Sequence, residues 1–212
     1  IRAVEFDVRQ LKDHELIIMH DDNMLRTTGI DQALYPLSST QLDSYNQAHI
    51  WLDWEMQSTP TLRQALQIMQ DFEHLEVEVK AVQTQAEAER LTQHLTQQLR
   101  GFEHSAVITS FDLKILQALQ DQHSTFKRGL LIEDDIQHLA IEQALKYDCC
   151  QIGWMNQLAT DDLLKATQQA NLAISVWTVN DIERAKHLRD CGIDGLITDF
   201  PKMMLQHLID VH

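Results

Sequence analysis

The chain has 212 residues, a length that allows one large core and predicts a single domain over residues 1–212. Its formal net charge of -15 at pH 7 argues against a nucleic-acid partner, because binding to a phosphate backbone depends on Lys and Arg side chains. With 44% hydrophobic and 23% charged residues the composition is globular, and no apolar run approaches the roughly 20 residues that a transmembrane helix needs.

Short runs rich in Val and Ile alternate along the chain with longer amphipathic patterns. This alternation predicts an α/β fold in which crossover helices join the strands of a mostly parallel sheet. The predicted strands cover residues 4–8, 15–19, 75–79, 106–109, 129–132, 149–152, 173–178 and 195–198.

Several helices carry recognisable start signals. Residues 83–99 show the amphipathic spacing of a helix. Thr160 is followed by two acids, which predicts a hydroxyl cap and a favourable first turn. Asn180 with Glu183 resembles a capping box and predicts a further helix start.

Residues 29–61 have no clean period and predict an irregular insertion within the domain. The segment contains Trp51, Leu52 and Trp54. These side chains predict either an apolar mouth for a lipid-like substrate or the core of a small subdomain.

Three cysteines, an odd number without CxxC spacing, favour a reducing compartment over a disulfide framework. On this ground we expect a cytoplasmic protein. A periplasmic or secreted location stays open, because the sequence begins at Ile1 rather than at a methionine.

Two predicted strands place acids on a common face. Glu5 and Asp7 point the same way because a strand has a period of two residues, and a divalent cation with oxygen ligands, Mg²⁺ or Ca²⁺, would offset their repulsion. The alternative to a metal site is that Glu5 and Asp7 both point to solvent from an edge strand. Glu78 and Lys80 in "VEVK" also share a face, where they indicate either a cross-strand salt bridge or a third metal ligand beside an ammonium.

Polar and aromatic residues follow the ends of other predicted strands. His20 ends an apolar run, at the edge where α/β folds build their sites, and an imidazole can protonate a leaving alkoxide near neutral pH. A purely structural role is the alternative. Phe111 is a candidate pocket residue, and Trp177 either closes an apolar wall or belongs to the core. Asp112 is a predicted helix cap, and Asp199 is either a cap or a site residue.

Seven segments in this order resemble the glycerophosphodiester phosphodiesterase family. They are "VEFDV", "ELIIMHDDNMLRTT", "TPTLRQAL", "VEVK", "ITSFD", "VWTVND" and "GIDGLITDFP". The resemblance implies a TIM (β/α)8-type barrel and metal-dependent hydrolysis of small-molecule glycerophosphodiesters to glycerol 3-phosphate and an alcohol.

The resemblance also implies roles for individual residues. One divalent cation, Mg²⁺ or Ca²⁺, is expected on three carboxylates, and a histidine at a strand end is expected to be catalytic. The implied metal ligands are Glu5, Asp7 and Glu78, the catalytic residue is His20, and the substrate-contacting residues are Lys80 and Trp177. Phe111 is a further candidate for substrate binding on the ground of its position after a strand.

The family begins with a His-Arg-Gly strand and a Pro-Glu-Asn-Thr segment, which this sequence does not contain. We therefore expect a barrel without its first strand and helix, in a fragment of a longer protein, and one of the eight predicted strands should be an extension. Two alternatives stay open: a lysophospholipase D, which needs a larger apolar mouth, and a non-catalytic phosphate-binding or scaffold fragment.

Overall fold

The computed structural model describes residues 1–208, so the last four residues of the predicted single domain lie outside the described part of the chain. All eight predicted strands are present within it. They are β1 (Ala3–Gln10), β2 (Leu16–Ile18), β3 (His74–Val79), β4 (Ala106–Ser110), β5 (Lys127–Ile132), β6 (Gln151–Met155), β7 (Ala173–Trp177) and β8 (Gly195–Leu196).

The position of β6 corrects the prediction for residues 149–152, because the strand begins two residues later and ends at Met155. The physical reason is a turn. The backbone N–H of Cys149 donates to the carbonyl of Ala144, 2.8 Å away, so this cysteine closes the preceding helix instead of starting the strand.

The strands form one curled sheet in the order β2-β1-β3-β4-β5-β6-β7-β8. From β1 through β3 to β8 every neighbouring pair is parallel, as the alternation predicts. The exception is β2, which pairs antiparallel with β1 and is therefore the expected extension. Among residues 1–208 no strand pairing joins β2 to β8, so the described sheet is a half-barrel.

Most of the helices cover the outside of the sheet. The described helices are α1 (Leu25–Thr28), α2 (Ser39–Leu42), α3 (Leu62–Ile68), α4 (Gln85–Gln98), α5 (Leu113–Asp121), α6 (Leu139–Lys146), α7 (Asp161–Gln169), α8 (Ile182–Asp190) and α9 (Pro201–Leu208). None of these described helices has the length and hydrophobicity that crossing a membrane requires.

The predicted helix caps are confirmed with one correction. Thr160 caps α7 and Asp112 caps α5, each accepting a hydrogen bond from a first-turn N–H. The cap of α8 is Asp181, whose Oδ1 accepts from the N–H of Arg184 at 2.7 Å, so the prediction for Asn180 is wrong. The Asn180 amide instead donates to Asp199, and this contact crosses between two loops.

The outward faces of the strands and the inner faces of the helices form the core. Alternate residues of β1 and β3, such as Val8 and Val77, pack under α3, α4 and α5. Trp154 and Val176 belong to a second cluster under the later helices. Because the strand period is two, the remaining residues of each strand must face the interior of the curled sheet, which is where the polar residues lie.

The insertion at residues 29–61 has its own small core against the β1–β2 hairpin. Leu34, Leu37 and Leu42 are buried there with Leu11 and Ile17. The three side chains predicted as either mouth or core do not take part, since Trp51, Leu52 and Trp54 are exposed. The core alternative for them is therefore wrong.

A glycine inside the sheet gives a test of this packing. A Cβ on Gly129 would lie 2.8 Å from Cγ2 of the buried Thr109 on β4, a β-branched side chain with little rotamer freedom. We expect Gly129→Ala to lower the free energy of unfolding by about 1–3 kcal/mol in a urea titration. A Gly129→Ala protein that unfolds at the same urea concentration as the unmodified protein would contradict this packing.

Candidate active site

The register between β1 and β3 brings four acids together. Asp7 lies opposite Glu78, and Glu5 lies opposite Glu76, because the two strands run parallel and pair directly. Residues at paired positions point to the same side of a sheet. All four carboxylates therefore enter the interior of the curled sheet, while Phe6 and Val77, which lie between them on the two strands, face the helices.

Three of these acids converge as the sequence predicts. Oxygens of Glu5, Asp7 and Glu78 all lie within 4.8 Å of one another. Oε1 of Glu5 is buried without a hydrogen-bond partner among the described residues. Burial, together with the neighbouring charges of Asp7 and Glu78, raises the pKa of Glu5 to about 8. Burial likewise raises the pKa of Glu78.

Lys80 is the positive charge beside this cluster. Its ammonium donates to Oδ1 of Asp7 at 2.6 Å and to Oε1 of Glu78. Burial works against the charged form, but these hydrogen bonds to the two carboxylates outweigh it and raise the pKa of Lys80. The predicted salt bridge and the predicted acidic cluster are thus present together, since Lys80 bridges two of the three acids.

The β1–β2 hairpin positions His20. The N–H of Met19 donates to the carbonyl of Asp7, and Nε and Nη2 of Arg9 donate to the carbonyl of His20 at 3.0 and 2.7 Å. These bonds fix the backbone on both sides of the ring. The imidazole itself is largely exposed and contributes to the same cleft as the acids.

A second set of contacts orients the imidazole ring. Nδ1 of His20 lies 2.7 Å from Oδ1 of Asp21, and Asp21 is held in turn by Arg26, whose Nε donates to Oδ2 at 2.6 Å. The hydrogen bond from Arg26 is the largest influence that lowers the pKa of Asp21. A charged carboxylate on Nδ1 leaves Nε2 as the nitrogen available to a ligand.

Two aromatic rings form a wall of the cleft. Phe111 and Trp177 meet edge to face with ring centres 5.4 Å apart. The indole N–H of Trp177 donates to the carbonyl of Gly153 at 3.1 Å, which fixes the ring in place. The cleft has a volume of about 960 Å³, and both rings border it with the acids, Lys80 and His20. The structure therefore brings every predicted site residue to one cleft.

Among the residues that border the cleft, sequence reasoning missed Arg9 and Glu76 in particular. Arg9 is two residues beyond Asp7, and Glu76 is two residues before Glu78, so the strand period that identified the acids also places both on the inward face. Glu76 is buried and accepts a hydrogen bond from Ser175 Oγ at 3.2 Å, and Gln151 binds the same hydroxyl. Asp199, in contrast, is not among the residues that border the cleft.

The donor set fits a hard divalent cation. Three carboxylates meet within one coordination shell, and a buried oxygen of Glu5 has no partner among the described residues. Mg²⁺ and Ca²⁺ prefer oxygen ligands of this kind. An added positive charge would also favour the ionised form of Glu5, which its surroundings otherwise disfavour.

The raised pKa of Glu5 has a consequence for stability. The folded state keeps this proton up to about pH 8, while the unfolded chain releases it near 4.5. The carboxyl therefore lowers the free energy of unfolding progressively as the pH rises between these values. In the presence of EDTA we expect Glu5→Gln to stabilise the protein at pH 8 by about 2 kcal/mol and much less at pH 5, measured by urea unfolding.

A matched control for this prediction is Glu73→Gln, because Glu73 is an exposed acid just before β3. It should change stability little at either pH. A destabilised Glu5→Gln protein at pH 8, or an equal effect at both pH values, would contradict the assignment of Glu5 as a buried, destabilised acid.

Comparison with known proteins supports this fold. The protein from Caldanaerobacter subterraneus subsp. tengcongensis named glycerophosphodiester phosphodiesterase is 22% identical over 207 residues, covering 96% of this chain and 84% of that protein. The structure of an Oleispira antarctica phosphodiesterase in complex with the product sn-glycerol-3-phosphate matches with a TM-score of 0.85 at 20% identity, over 98% of this chain and 85% of that chain.

The glycerophosphodiester phosphodiesterase structure from Thermotoga maritima matches with a TM-score of 0.76 at 21% identity, over 95% of this chain and 83% of that chain. These likenesses confirm the predicted TIM-barrel-like α/β fold. The sequence pattern of the Glycerophosphoryl diester phosphodiesterase family matches residues 1–203. The chain belongs to the glycerophosphoryl diester phosphodiesterase family, as the seven sequence segments predict.

Proposed function

We propose that the protein hydrolyses glycerophosphodiesters to glycerol 3-phosphate and an alcohol with the help of one divalent cation. The observation that carries the proposal is the convergence of Glu5, Asp7 and Glu78 in the cleft that His20 also borders. Family membership supports it. Further support comes from the similar Oleispira antarctica structure, which holds sn-glycerol 3-phosphate.

The predicted site residues have separate roles in this proposal. Glu5, Asp7 and Glu78 would hold Mg²⁺ or Ca²⁺, whose charge would offset that of the phosphoryl oxygens. Lys80 lies against two of these acids and supplies a further positive charge to the same region. The net effect is a cleft that accepts an anionic phosphodiester in a protein of strongly negative charge.

His20 is the proposed general acid. Asp21 engages Nδ1, so Nε2 is the atom that would give its proton to the departing alkoxide. Phe111 and Trp177 would pack against the carbon skeleton of the substrate, because they form a rigid apolar wall beside the polar groups. The alcohol moiety is not specified by these contacts.

The lysophospholipase D alternative depends on an apolar mouth formed by Trp51, Leu52 and Trp54. These side chains are exposed on the insertion, but none borders the described cleft. The shorter substrates therefore fit the observed lining better. The scaffold alternative predicts no turnover of either substrate and is decided by the same assay.

Replacing a proposed metal ligand should abolish hydrolysis. We expect Glu78→Gln to lower the turnover of glycerophosphocholine by at least about 100-fold in the presence of Mg²⁺ or Ca²⁺, because one of three carboxylates is lost. EDTA should inactivate the unmodified protein reversibly. Release of glycerol 3-phosphate measures the reaction.

Glu73→Gln is the matched control for this assay, since it changes an acid of the same segment outside the cleft. Turnover by Glu78→Gln at the level of the control would overturn the proposed ligand set. Faster hydrolysis of lysophosphatidylcholine than of glycerophosphocholine by the unmodified protein would favour the lysophospholipase D alternative.

Arg9 is proposed as a positioning residue, because its two hydrogen bonds to the carbonyl of His20 fix the backbone that carries the imidazole. Lysine keeps the charge but cannot form the same forked contact. We expect Arg9→Lys to lower kcat about 10- to 100-fold while cation affinity, measured by calorimetry, stays unchanged.

The matched control is Arg2→Lys, at an exposed position just before β1 that pairs with Glu73. It should leave kcat and KM unaltered. The hydrogen bonds from Arg9 to the carbonyl of His20 do not limit the reaction if kcat is unchanged in Arg9→Lys. The same conclusion follows if a higher cation concentration restores the lost activity.

A further inference from the structure

The helical layer carries a second cluster of possible metal ligands, far in sequence from the acids of the cleft. Asp161 is the first residue of α7, His187 lies in α8, and Cys191 is the residue that ends α8. One ligand atom of each lies within 4.8 Å of the other two. None of the three borders the cleft.

We propose that Asp161, His187 and Cys191 form a binding site for Zn²⁺ or a similar borderline-soft divalent cation, separate from the acidic site of the cleft. The site would join α7 to α8 on the outside of the barrel. Its mixed oxygen, nitrogen and sulfur donors are of the type that zinc takes in proteins, whereas Mg²⁺ and Ca²⁺ prefer oxygen alone.

The two separations that involve sulfur are close to those of a tetrahedral shell. Cys191 Sγ lies 3.6 Å from His187 Nε2 and 3.8 Å from Asp161 Oδ1. Zinc bonds of about 2.0–2.3 Å at tetrahedral angles place neighbouring ligand atoms about 3.3–3.7 Å apart. Nε2 of His187 and Oδ1 of Asp161 are nearer, at 2.8 Å, because they hydrogen bond directly.

The arrangement is not that of a catalytic triad. A Cys-His-Asp relay needs the thiol on one ring nitrogen of the histidine and the carboxylate on the other. Here both Cys191 Sγ and Asp161 Oδ1 face the same nitrogen, Nε2. Three ligand atoms this close to one another are what a shared cation requires.

The helices that carry these ligands are held in position by other contacts. Gln168 of α7 donates to the carbonyls of Cys191 and Gly192 at 2.9 and 3.1 Å. Arg184 of α8 donates to the carbonyl of Ala159 at 2.6 Å, next to the cap of α7. The site is therefore largely formed before a cation binds, which limits the entropy lost on binding.

The accessibility and charge of the cluster also suit a cation. His187 and Asp161 are about half exposed or more, so an ion can reach them from solvent. The spacing of His187 and Cys191, four residues apart, places them on one face of the helix. Arg184 is the nearby positive charge, but its guanidinium is committed to Asn156 and Ala159.

Titration with Co²⁺ tests the proposal without measuring hydrolysis. Reduced, EDTA-treated protein should develop the near-ultraviolet charge-transfer band of a thiolate bound to Co²⁺, with visible bands of tetrahedral intensity. Cys191→Ser should lose the thiolate band, while Cys150→Ser, at an exposed cysteine outside the cluster, should retain it. Excess Zn²⁺ should displace Co²⁺ and remove the band.

The two proposed metal sites are distinguishable in the same experiment. Glu78→Gln should leave the thiolate band intact, because the cleft contributes no sulfur ligand. Absence of the band from the unmodified protein, or its persistence in Cys191→Ser, would overturn the proposal whatever the outcome of the hydrolysis assay.

Thermal unfolding gives an independent measurement. A cation that binds only the folded state should raise Tm, by about 5–10 °C at a free Zn²⁺ concentration 100 times the dissociation constant. Cys191→Ser and His187→Gln should each lose this shift and, without Zn²⁺, melt within a few degrees of the unmodified protein. An equal Zn²⁺-induced shift in all three proteins would contradict the site.

Discussion

Repulsion among the acids inside the curled sheet is the constraint on which the rest of the site depends. The parallel register of β1 and β3 sets Asp7 beside Glu78 and Glu5 beside Glu76, and a single ammonium, that of Lys80, bonds to two of them. No shift of one residue could relieve this repulsion without also exposing the valines of the outward face. The packing of the helices therefore holds the acids together.

The two faces of each strand have separate physical roles. The outward faces bury Val8, Val77 and their neighbours under the helices, and this burial provides the stability. The inward faces carry groups that burial disfavours, of which Glu5 with its raised pKa is the clearest. A fold that is stabilised on one side of a sheet can keep a destabilised group on the other, which is a common trade-off at functional sites.

Much of the fold and of the candidate site follows from local patterns in the sequence. Strand periodicity places Glu5 with Asp7 and Glu78 with Lys80, and hydroxyl or carboxylate caps locate the starts of several helices. The convergence of the two strands does not follow from periodicity alone, because it depends on which strands are neighbours. The resemblance to a family supplied that information.

Other features could not be predicted because they depend on contacts between distant segments. Asp161 and Cys191 are 30 residues apart and meet only because α7 packs against α8. The local sequence does not distinguish Asn180 from Asp181 as the cap of α8, because both side chains can accept a hydrogen bond, and only the contact of Asn180 with Asp199 separates their roles. The open edge of the described sheet is likewise not predictable from local sequence, because it depends on which strand β2 pairs with.

That edge strand is protected by a segment that follows it in the chain. The N–H of Ile18 donates to the carbonyl of Pro60 at 3.0 Å, and Ile17 forms a bridge with Thr61, so the last residues of the insertion cover the free side of β2. The insertion is thus tethered at its far end to the strand that leads to His20. Exchange of residues 29–61 would therefore remove the backbone contacts that shield β2, and would loosen the hairpin that carries His20.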